Sequence, residues 1–342
     1  MTTEALTLAQ YAELPQQPLQ LEQQPGWLSL LQQHCLPDHK VRVYVDMEDG
    51  TVGSALPLYP LQKSFMGLRA RYLRGLTAMY SSHYCPVSED VESLQRLLAD
   101  VLEQESWDVL FFSAVDEVGY LHRALKQLAA ERKLPLSCSK DFEHWYLDLQ
   151  QADYRSYLAQ RPGILRNTLK RKEEKISREF QVEFDICDTT ESLPAALAAY
   201  QQVYSRSWKT AELYPDFIPQ FCQWAAAEGW LRLGIMRLDD KPIAAQIWLV
   251  LNGRASIFKL AYDQAYRQWS VGSLLTAHLM QQVINEGVTE VEFGKGGESY
   301  KADWMSQCRQ RVQLACYNPL TWVGRCMALR HHYLPGIIKK RN

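Results

Sequence analysis

The most informative segment of the chain is residues 254–304, which read RASIFKLAYDQAYRQWSVGSLLTAHLMQQVINEGVTEVEFGKGGESYKADW. Its first ten residues are rich in apolar and aromatic side chains and end at Asp263, which predicts a β-strand. From Val271 onward, apolar residues recur at helical spacing until Gly287, which predicts a helix that ends there. A second strand over residues 291–294 would complete a strand–helix–strand unit.

The start of the predicted helix has two features that suit an anion. Ser270 could cap one of the free backbone N–H groups, and Gly272 has no Cβ to hold a bulky group away from the backbone. Free N–H groups and the helix macrodipole favour phosphate at such a position. An ordinary capped helix packed on a sheet has the same pattern, and no Rossmann or Walker glycine motif is present. The residue pattern alone therefore leaves both interpretations open.

Several short segments occur in a defined order along the chain. Beginning at a basic stretch, they are 165–172 (LRNTLKRK), 205–209 (SRSWK), 261–263 (AYD), 270–275 (SVGSLL), Gly287, 291–294 (VEFG), Gly296 and 300–301 (YK). This order resembles the BioF2-like or FemAB-like acyltransferases of the GNAT superfamily. The resemblance covers roughly residues 160–318, and the N-terminal half resembles the partner domain of such proteins more loosely. It implies an α/β (α+β) protein of two tandem GNAT-like domains, each with a mixed central sheet flanked by helices.

Patterns elsewhere in the chain support that architecture. The second half reads as strand, two helices, three-strand meander, helix and strand, and the first half reads as a shortened version of the same order. We expect strands near residues 41–46, 55–59 and 107–114, a hairpin turn at Asp49–Gly50, helices near 88–105 and 116–132, and one basic helix near 154–180. The expected domains are 1–150 and 151–318, followed by a basic tail over 319–342.

The resemblance implies that a thioester donor binds around the start of the helix. The residues concerned are Gln268, Ser270, Val271, Gly272, Ser273 and Leu274. GNAT pyrophosphate loops usually have Gln or Arg, then two residues, then Gly-x-Gly or Gly-x-Ala, whereas this loop has a single glycine. The donor therefore stays open between acyl-CoA, acyl carrier protein and aminoacyl-tRNA.

Four residues are candidates for the chemistry. The resemblance implies that Lys301 stabilises charge on the reacting group, as a tetrahedral oxyanion requires. Tyr300 is either a proton donor to the departing thiolate or a packed ring. Asp263 and Glu292 end the two central strands, where either could orient or deprotonate an amine. Alternatively, Asp263 caps a turn and Glu292 pairs with a nearby cation.

The acceptor side has five candidate residues, namely Trp208, Lys209, Tyr262, Gly294 and Gly296. A tryptophan near a helix end is more often part of a core than of a channel. The two glycines are expected to serve backbone geometry, since glycine readily adopts positive φ angles. The acceptor itself is expected to be a small-molecule amine.

Composition limits the class of protein. Apolar residues make up 47% of the 342 residues and charged residues 22%, which is typical of a globular protein and indicates neither disorder nor a membrane span. The N-terminus lacks the features of a signal peptide, so we expect a cytoplasmic protein. Eight cysteines without a CxxC pair, and histidines without an HExxH motif, indicate no metal site and no disulfide framework.

The net charge of −2 conceals two basic segments. Residues 161–178 contain seven Lys or Arg against two Glu, and residues 319–342 contain five Lys or Arg and no acid. Such segments could attract an acidic acyl carrier protein, tRNA or an anionic membrane surface, and DNA is not expected. The alternative is that both are solvated surfaces, as most charge runs are.

The leading hypothesis is an N-acyltransferase in which an amine attacks a thioester directly, without a covalent enzyme intermediate. One alternative is a FemX-like transferase that uses aminoacyl-tRNA and a cell-wall precursor. A second alternative is a non-catalytic adaptor that retains the GNAT fold.

Overall fold

The computed structural model describes residues 3–15, 20–48, 50–149 and 153–334. The chain forms two compact units. The first comprises residues up to Glu143 together with residues from Arg309 onward, and the second is His144–Cys308. The domain limits expected at residues 150 and 318 stay predictions.

Strands and helices are numbered separately, each in chain order. The strands are β1 (Glu4–Leu6), β2 (Arg42–Glu48), β3 (Thr51–Phe65), β4 (Leu68–Gly75), β5 (Val87–Ser88), β6 (Val109–Asp116), β7 (Leu136–Asp148), β8 (Val182–Cys187), β9 (Leu231–Leu238), β10 (Lys241–Leu251), β11 (Arg254–Tyr262), β12 (Glu290–Lys295) and β13 (Gln307–Tyr317). The α-helices are α1 (Leu8–Ala12), α2 (Pro25–Leu30), α3 (Val91–Gln104), α4 (Tyr120–Glu131), α5 (Tyr154–Ala159), α6 (Gly163–Glu179), α7 (Leu193–Ser205), α8 (Phe217–Ala227), α9 (Val271–Asn285), α10 (Lys301–Trp304) and α11 (Trp322–Ala328).

In the first unit the strands are ordered β1, β2, β3, β4, β6 and β13, with β5 on β3. The β4–β6 pair is parallel and the others are antiparallel. Helix α3 begins at Asp90, whose Oδ1 accepts a hydrogen bond from the backbone N–H of Ser93 at 2.7 Å. Its apolar stripe, with Leu94 and Leu98 fully buried, packs with α4 and the sheet. The sequence predicted this helix but missed β4.

In the second unit the strands are ordered β7, β12, β11, β10, β9 and β8. The part of β7 from His144 onward pairs with β12, and the β11–β12 pair is parallel while the other pairs are antiparallel. Helix α9 has the predicted stripe of buried residues, namely Val271, Leu275, Leu279 and Val283. It shares one apolar cluster with β9–β12, α5 and α6. Gly287 follows with φ of 81°, as predicted for a residue just beyond a helix C-terminus.

Two expectations about the elements are corrected. The single basic helix near 154–180 is two helices, because Pro162 has no N–H for the hydrogen bond that would continue α5. The described part of the expected tail, to residue 334, is not a free tail, since α11 lies within it and buries Met327 and Ala328. Residues 335–342, and Asp49 of the predicted hairpin turn, lie outside the described residues.

Within the described ranges, every helix is too short or too polar to traverse a bilayer. The eight cysteines form no disulfides, and four of them are buried.

Candidate active site

The second unit contains a place where two parallel strands separate. The pairing of β11 with β12 covers three residue pairs and ends at Ser256 and Glu292. Both strands continue beyond that point through described residues, β11 to Tyr262 and β12 to Lys295, without pairing with each other. We call residues 257–262 and 293–295 the strand fork. Backbone groups along such an opening are available to a bound molecule.

Glu292 lies at the closed end of the strand fork, in a buried polar cluster. Its two carboxylate oxygens accept hydrogen bonds from Ser256 Oγ at 2.6 Å and from His144 Nε2 at 3.2 Å. Burial raises the pKa of Glu292, but the hydrogen bond and charge of His144, with Arg254 and Ser256, outweigh burial and hold it well below its usual range. A carboxylate of low pKa is a weak proton acceptor, so this geometry favours orientation over proton abstraction.

His144 is a site residue that the sequence did not single out. Its side chain is fully buried on β7, and its contact with Glu292 crosses from one strand to the next. No histidine motif surrounds it in the chain. The pairing of β7 with β12 brings His144 to Glu292. The sequence around His144 therefore gives no indication of this contact.

Asp263 holds the turn between β11 and α9. Its Oδ1 accepts a hydrogen bond from the N–H of Ala265 at 3.0 Å at the start of a short 3₁₀ helix, Gln264–Trp269. Its Oδ2 lies 3.6 Å from Lys241 Nζ and 4.0 Å from Arg206 Nη1. This is the turn-capping position considered from the sequence. A role for Asp263 in deprotonation stays a prediction.

The start of α9 differs from the expected side-chain cap. Ser270 has φ of 56° and ψ of 35°, and its side chain makes no capping hydrogen bond. A serine cap needs an extended backbone to bring its oxygen onto the first N–H groups, and the left-handed conformation prevents this. The prediction of Ser270 as a side-chain cap is therefore wrong. Helix geometry leaves the N–H groups of Val271, Gly272 and Ser273 without an acceptor inside the helix.

Gly272 allows close packing of α9 on the end of β11. A Cβ at this position would lie 3.0 Å from Cδ1 of Tyr262, so the absence of the Cβ lets α9 pack against the end of β11. The expectation that Gly272 lets an anion approach stays a prediction. The contact also places the helix start beside the open end of the strand fork.

Gln246 fixes the first turn of α9 onto β10. It is almost fully buried, and its Nε2 donates to the Gly272 carbonyl at 2.9 Å and to Thr276 Oγ1 at 2.8 Å. Its Oε1 accepts a hydrogen bond from Trp248 Nε1 at 2.8 Å. In the sequence, Gln246 is noticeable only as the polar residue in an apolar strand. That polar interruption is the sequence feature that could have marked Gln246 as a residue that positions α9.

Cations surround the turn before α9. Lys172 of α6 donates a hydrogen bond to the Gln268 carbonyl, and Lys175 Nζ lies 4.6 Å from the centre of the Trp269 ring. Lys241 Nζ lies 4.9 Å from the centre of the Tyr266 ring. The side chains of Val271 and Leu274 are in the core, so only their backbone groups are available to a donor. The cations and free N–H groups together suit a phosphate.

Lys301 is buried and organises the glycine-rich turn that follows β12. Its Nζ donates to the carbonyls of Lys295 and Gly296, at 2.9 and 3.1 Å, and pairs with Glu298 Oε2 at 2.8 Å. An ammonium group has three donors, so all of them are used within the turn. This geometry supports a positioning role, and direct contact with the reacting group stays a prediction. Gly296 has φ of 118°, and Gly294 has φ of 39°, which confirms the geometric role expected for both glycines.

Tyr300 packs edge-on against Phe293, with 5.5 Å between ring centres, and 42% of it is exposed. Burial of its hydroxyl, and then the charge of Glu298, raises its pKa. The hydroxyl therefore keeps its proton at neutral pH. The contact with Phe293 is that of the packed ring offered as one alternative, and proton donation to the departing thiolate stays a prediction.

Trp208, Lys209 and Tyr262 lie together on the β11 side of the strand fork. The rings of Trp208 and Tyr262 are 4.6 Å apart, and 48% of Trp208 is exposed, so it is not a core residue. Burial, and then the charge of Lys259, lowers the pKa of Lys209 to about 8. These three predicted acceptor-side residues are thus brought together, and Tyr262 links them to the start of α9.

Comparison with known proteins agrees with this geometry. Residues 165–302 match the family model described as an acetyltransferase (GNAT) domain. A search of curated protein sequences found no significant match.

Three solved structures are similar in fold. FemX has 11% identity and a TM-score of 0.63 and aligns over 96% of this chain and 99% of its own. A C-terminal domain from Agrobacterium fabrum, assigned to a lysylphosphatidylglycerol synthetase, has 15% identity and a TM-score of 0.55, with 89% and 90% coverage. L-PGS from Bacillus licheniformis has 13% identity and a TM-score of 0.52, with 95% and 99% coverage. At these identities the three structures show the fold alone.

The domain within residues 165–302 is therefore of the GNAT acetyltransferase type. The fold of the whole chain is similar to that of FemX.

Proposed function

We propose that this protein is an N-acyltransferase that moves an acyl group from a thioester donor to an amine. The observation that carries the proposal is the position of the strand fork. It opens at Tyr262, which contacts Gly272 in the first turn of α9, where the N–H groups have no intrahelical acceptor. A donor with a phosphate at one end and a thioester on a long arm fits this combination.

The donor would bind by its phosphates to the N–H groups of residues 271–273. Lys172, Lys175 and Lys241, which surround the preceding turn, would add favourable charge. The pantetheine arm would then lie along the strand fork, where its amides could bond to unpaired backbone groups. Acyl-CoA and an acyl carrier protein both carry this arm, so either could be the donor.

In the proposed reaction the amine nitrogen attacks the thioester carbonyl carbon and forms the C–N bond. The resulting oxyanion collapses, the C–S bond breaks, and the sulfur receives a proton from Tyr300 or water. The amine loses its own proton to water or to Asp263, and Glu292 would orient it. Lys301 would hold the turn that carries Tyr300. Alignment of the two substrates would provide much of the rate enhancement.

The donor site is tested by calorimetric titration of CoA and acetyl-CoA into wild-type protein and Ser273→Glu. A glutamate in the first turn suits the helix macrodipole, so folding is retained, but its charge repels phosphate. Affinity should fall at least tenfold. Gln281→Glu is the matched control, since Gln281 is exposed on the same helix about 12 Å further along and should leave affinity unchanged. Equal affinity of the two variants would contradict this site.

An aminoacyl-tRNA donor is the second candidate, and helix α6 is the observation that favours it. Two of its lysines, Lys172 and Lys175, already contact the turn before α9, and other cations on this helix are Arg166, Lys170, Arg171 and Arg178. In this case tRNA affinity should fall steeply with salt, and Lys172→Gln with Lys175→Gln should make the slope shallower. Binding of tRNA with no response to these changes would remove this candidate. Its acceptor would be a cell-wall precursor.

A further inference from the structure

A cavity of about 380 Å³ lies in the second unit between α7 and the segment that leads into α8. Most of its wall is apolar or aromatic, including Leu197, Tyr200 and Ile218. Its polar lining residues are Gln201, Ser205, Lys209 and Glu212, of which the last two carry charge. The lining therefore suits a molecule with an apolar body and a charged group.

Lys209 and Glu212 belong to a cluster of three lysines and two glutamates. Lys259 of β11 pairs with Glu212 at 2.5 Å, and Lys301 pairs with Glu298 at 2.8 Å. Lys209 has no hydrogen bond or ion pair to its ammonium group among the described residues, and lies 5.9 Å from the Trp208 ring centre. Two lysines are thus matched by two carboxylates, and the cluster has one excess positive charge.

The surroundings of Lys209 disfavour the protonated, charged form of its side chain. Burial and the neighbouring charges of Lys259 and Lys301 lower its pKa to about 8, while Glu212 and Glu298 only partly compensate. An anion bound beside Lys209 would favour the charged form and raise this pKa. The cluster also includes Lys259, on the β11 arm of the strand fork, so a ligand anchored here lies near the proposed reaction site.

We propose that this cavity binds the acceptor, and that the acceptor is an α-amino acid with an apolar side chain whose carboxylate pairs with Lys209. The proposal rests on the proposed function, because it assigns the amine of that reaction. The apolar side chain would occupy the wall formed by α7 and α8. One unmatched lysine fits a ligand with a single negative charge. The α-amine of an amino acid is only two bonds from the carboxylate carbon, so a carboxylate at Lys209 would hold the amine close to the strand fork.

The test is calorimetric titration of L-leucine and L-leucinamide at pH 6.5, where both α-amines are protonated and the two ligands differ only in the carboxylate. Leucine should bind at least tenfold more tightly than the amide. At pH 8, binding of leucine should take up about half a proton, measured in buffers of different ionisation enthalpy, because Lys209 becomes fully protonated. At pH 6.5 the uptake should disappear, since Lys209 is then already charged.

Two variants of one residue make the assignment specific. Lys209→Met should lose at least tenfold in leucine affinity. Lys209→Arg should keep most of the affinity but abolish proton uptake at pH 8, because arginine stays charged. The same leucine affinity in Lys209→Met, or proton uptake that persists in Lys209→Arg, would overturn the proposal. If the methionine variant does not fold, the comparison of leucine with leucinamide on the wild type still decides.

Other outcomes on the wild-type protein are also decisive. No leucine binding, equal binding of leucine and its amide, or displacement of leucine by inorganic phosphate at equal affinity would overturn an amino-acid site. Acetyl-CoA is titrated separately. Leucine binding without CoA binding would count against the CoA form of the proposed function and leave the acceptor proposal standing. CoA binding without leucine binding would overturn the acceptor proposal and leave the CoA form of the proposed function standing.

Discussion

At the scale of single residues, the buried cluster of Ser256, Glu292 and His144 determines how the closed end of the strand fork responds to pH. Glu292 accepts a hydrogen bond from each of the other two side chains. Its pKa is held below the ordinary value, so the folded protein binds a proton there less readily than the unfolded chain does. The contribution of Glu292 to stability is therefore present above its ordinary pKa and is lost as pH falls below it.

The first prediction concerns Glu292→Gln. Removal of this carboxylate should make the fall in unfolding free energy between about pH 5 and pH 3 shallower, by up to about 1.4 kcal/mol per pH unit. Urea unfolding of wild type and variant across this range measures the difference. Parallel curves would show that Glu292 is not the group that resists protonation.

The second prediction concerns Gln246→Leu. This change leaves the Trp248 indole N–H without its acceptor in the core, which should cost about 1–3 kcal/mol of unfolding free energy. It also frees the first turn of α9, so acetyl-CoA affinity should fall. Gln281→Leu, at an exposed site, is the control and should change stability by no more than about 0.5 kcal/mol. A stability change for Gln246→Leu no larger than that of the control would be the contrary result.

Individual residues were predictable where the backbone alone determines their role. Gly294, Gly296 and Gly287 all have positive φ, which their residue type and position indicated. The direction of a charged side chain was less predictable. The sequence placed Lys301 beside the site, but the path of the turn directs its ammonium onto two carbonyls and Glu298. The pairing of His144 with Glu292 joins positions far apart in the chain, which no local pattern indicates.

At the scale of elements, the unusual feature is the left-handed Ser270 between the 3₁₀ helix and α9. This conformation costs non-glycine residues roughly 1 kcal/mol, more for β-branched side chains. The Ser270 side chain has no capping role that would be lost on substitution. The packing around the turn, and not the conformational preference of serine, therefore holds Ser270 in the left-handed conformation.

The third prediction follows from this geometry. Ser270→Gly should keep or slightly raise stability, by up to about 1 kcal/mol, whereas Ser270→Val should lower it by about 1–2 kcal/mol. Thermal unfolding of the two variants shows which of them is the more stable. A valine variant as stable as the glycine variant would contradict the left-handed conformation.

The elements that were predicted and those that were missed differ in how clearly their hydrophobic pattern is expressed. The order β11, α9, β12 is confirmed because apolar residues follow strand and helix spacing with few interruptions. Strand β4 was missed because three arginines occupy its eight residues, at positions 69, 71 and 74. Arg71 is held there by a paired contact with Asp108 of 3.0 Å, a partner distant in the chain.

At the scale of the whole molecule, the first unit is built from two separate parts of the chain. Strand β13 pairs with β6 in antiparallel register, and its Val312, Leu314 and Cys316 are buried in the core formed with α3 and α4. Arg311 Nη1 also pairs with Asp116 Oδ2 at 3.0 Å. The first unit therefore depends on residues from 309 onward.

The fourth prediction is that a chain ending at Cys308 cannot complete the first unit. Without β13, strand β6 loses a neighbour and the core loses three buried side chains. The free energy lost is comparable with the whole stability of an ordinary domain. Limited proteolysis with mass spectrometry should show rapid cleavage before residue 143, where the full chain is protected. Equal protection in the two chains would instead favour the contiguous domains expected from the sequence.

The most direct measurement for the central claim is detection of acyl transfer itself. Wild-type protein, Ser273→Glu and Gln281→Glu would be incubated with acetyl-CoA, a longer acyl-CoA or an acyl carrier protein, together with a mixture of amino acids. Released thiol and N-acylated product would be quantified by mass spectrometry. We predict equal amounts of thiol and N-acyl product from the wild type and Gln281→Glu, and at least tenfold less from Ser273→Glu. No N-acyl product from any thioester donor, or equal product from all three proteins, would contradict thioester-dependent transfer at this site.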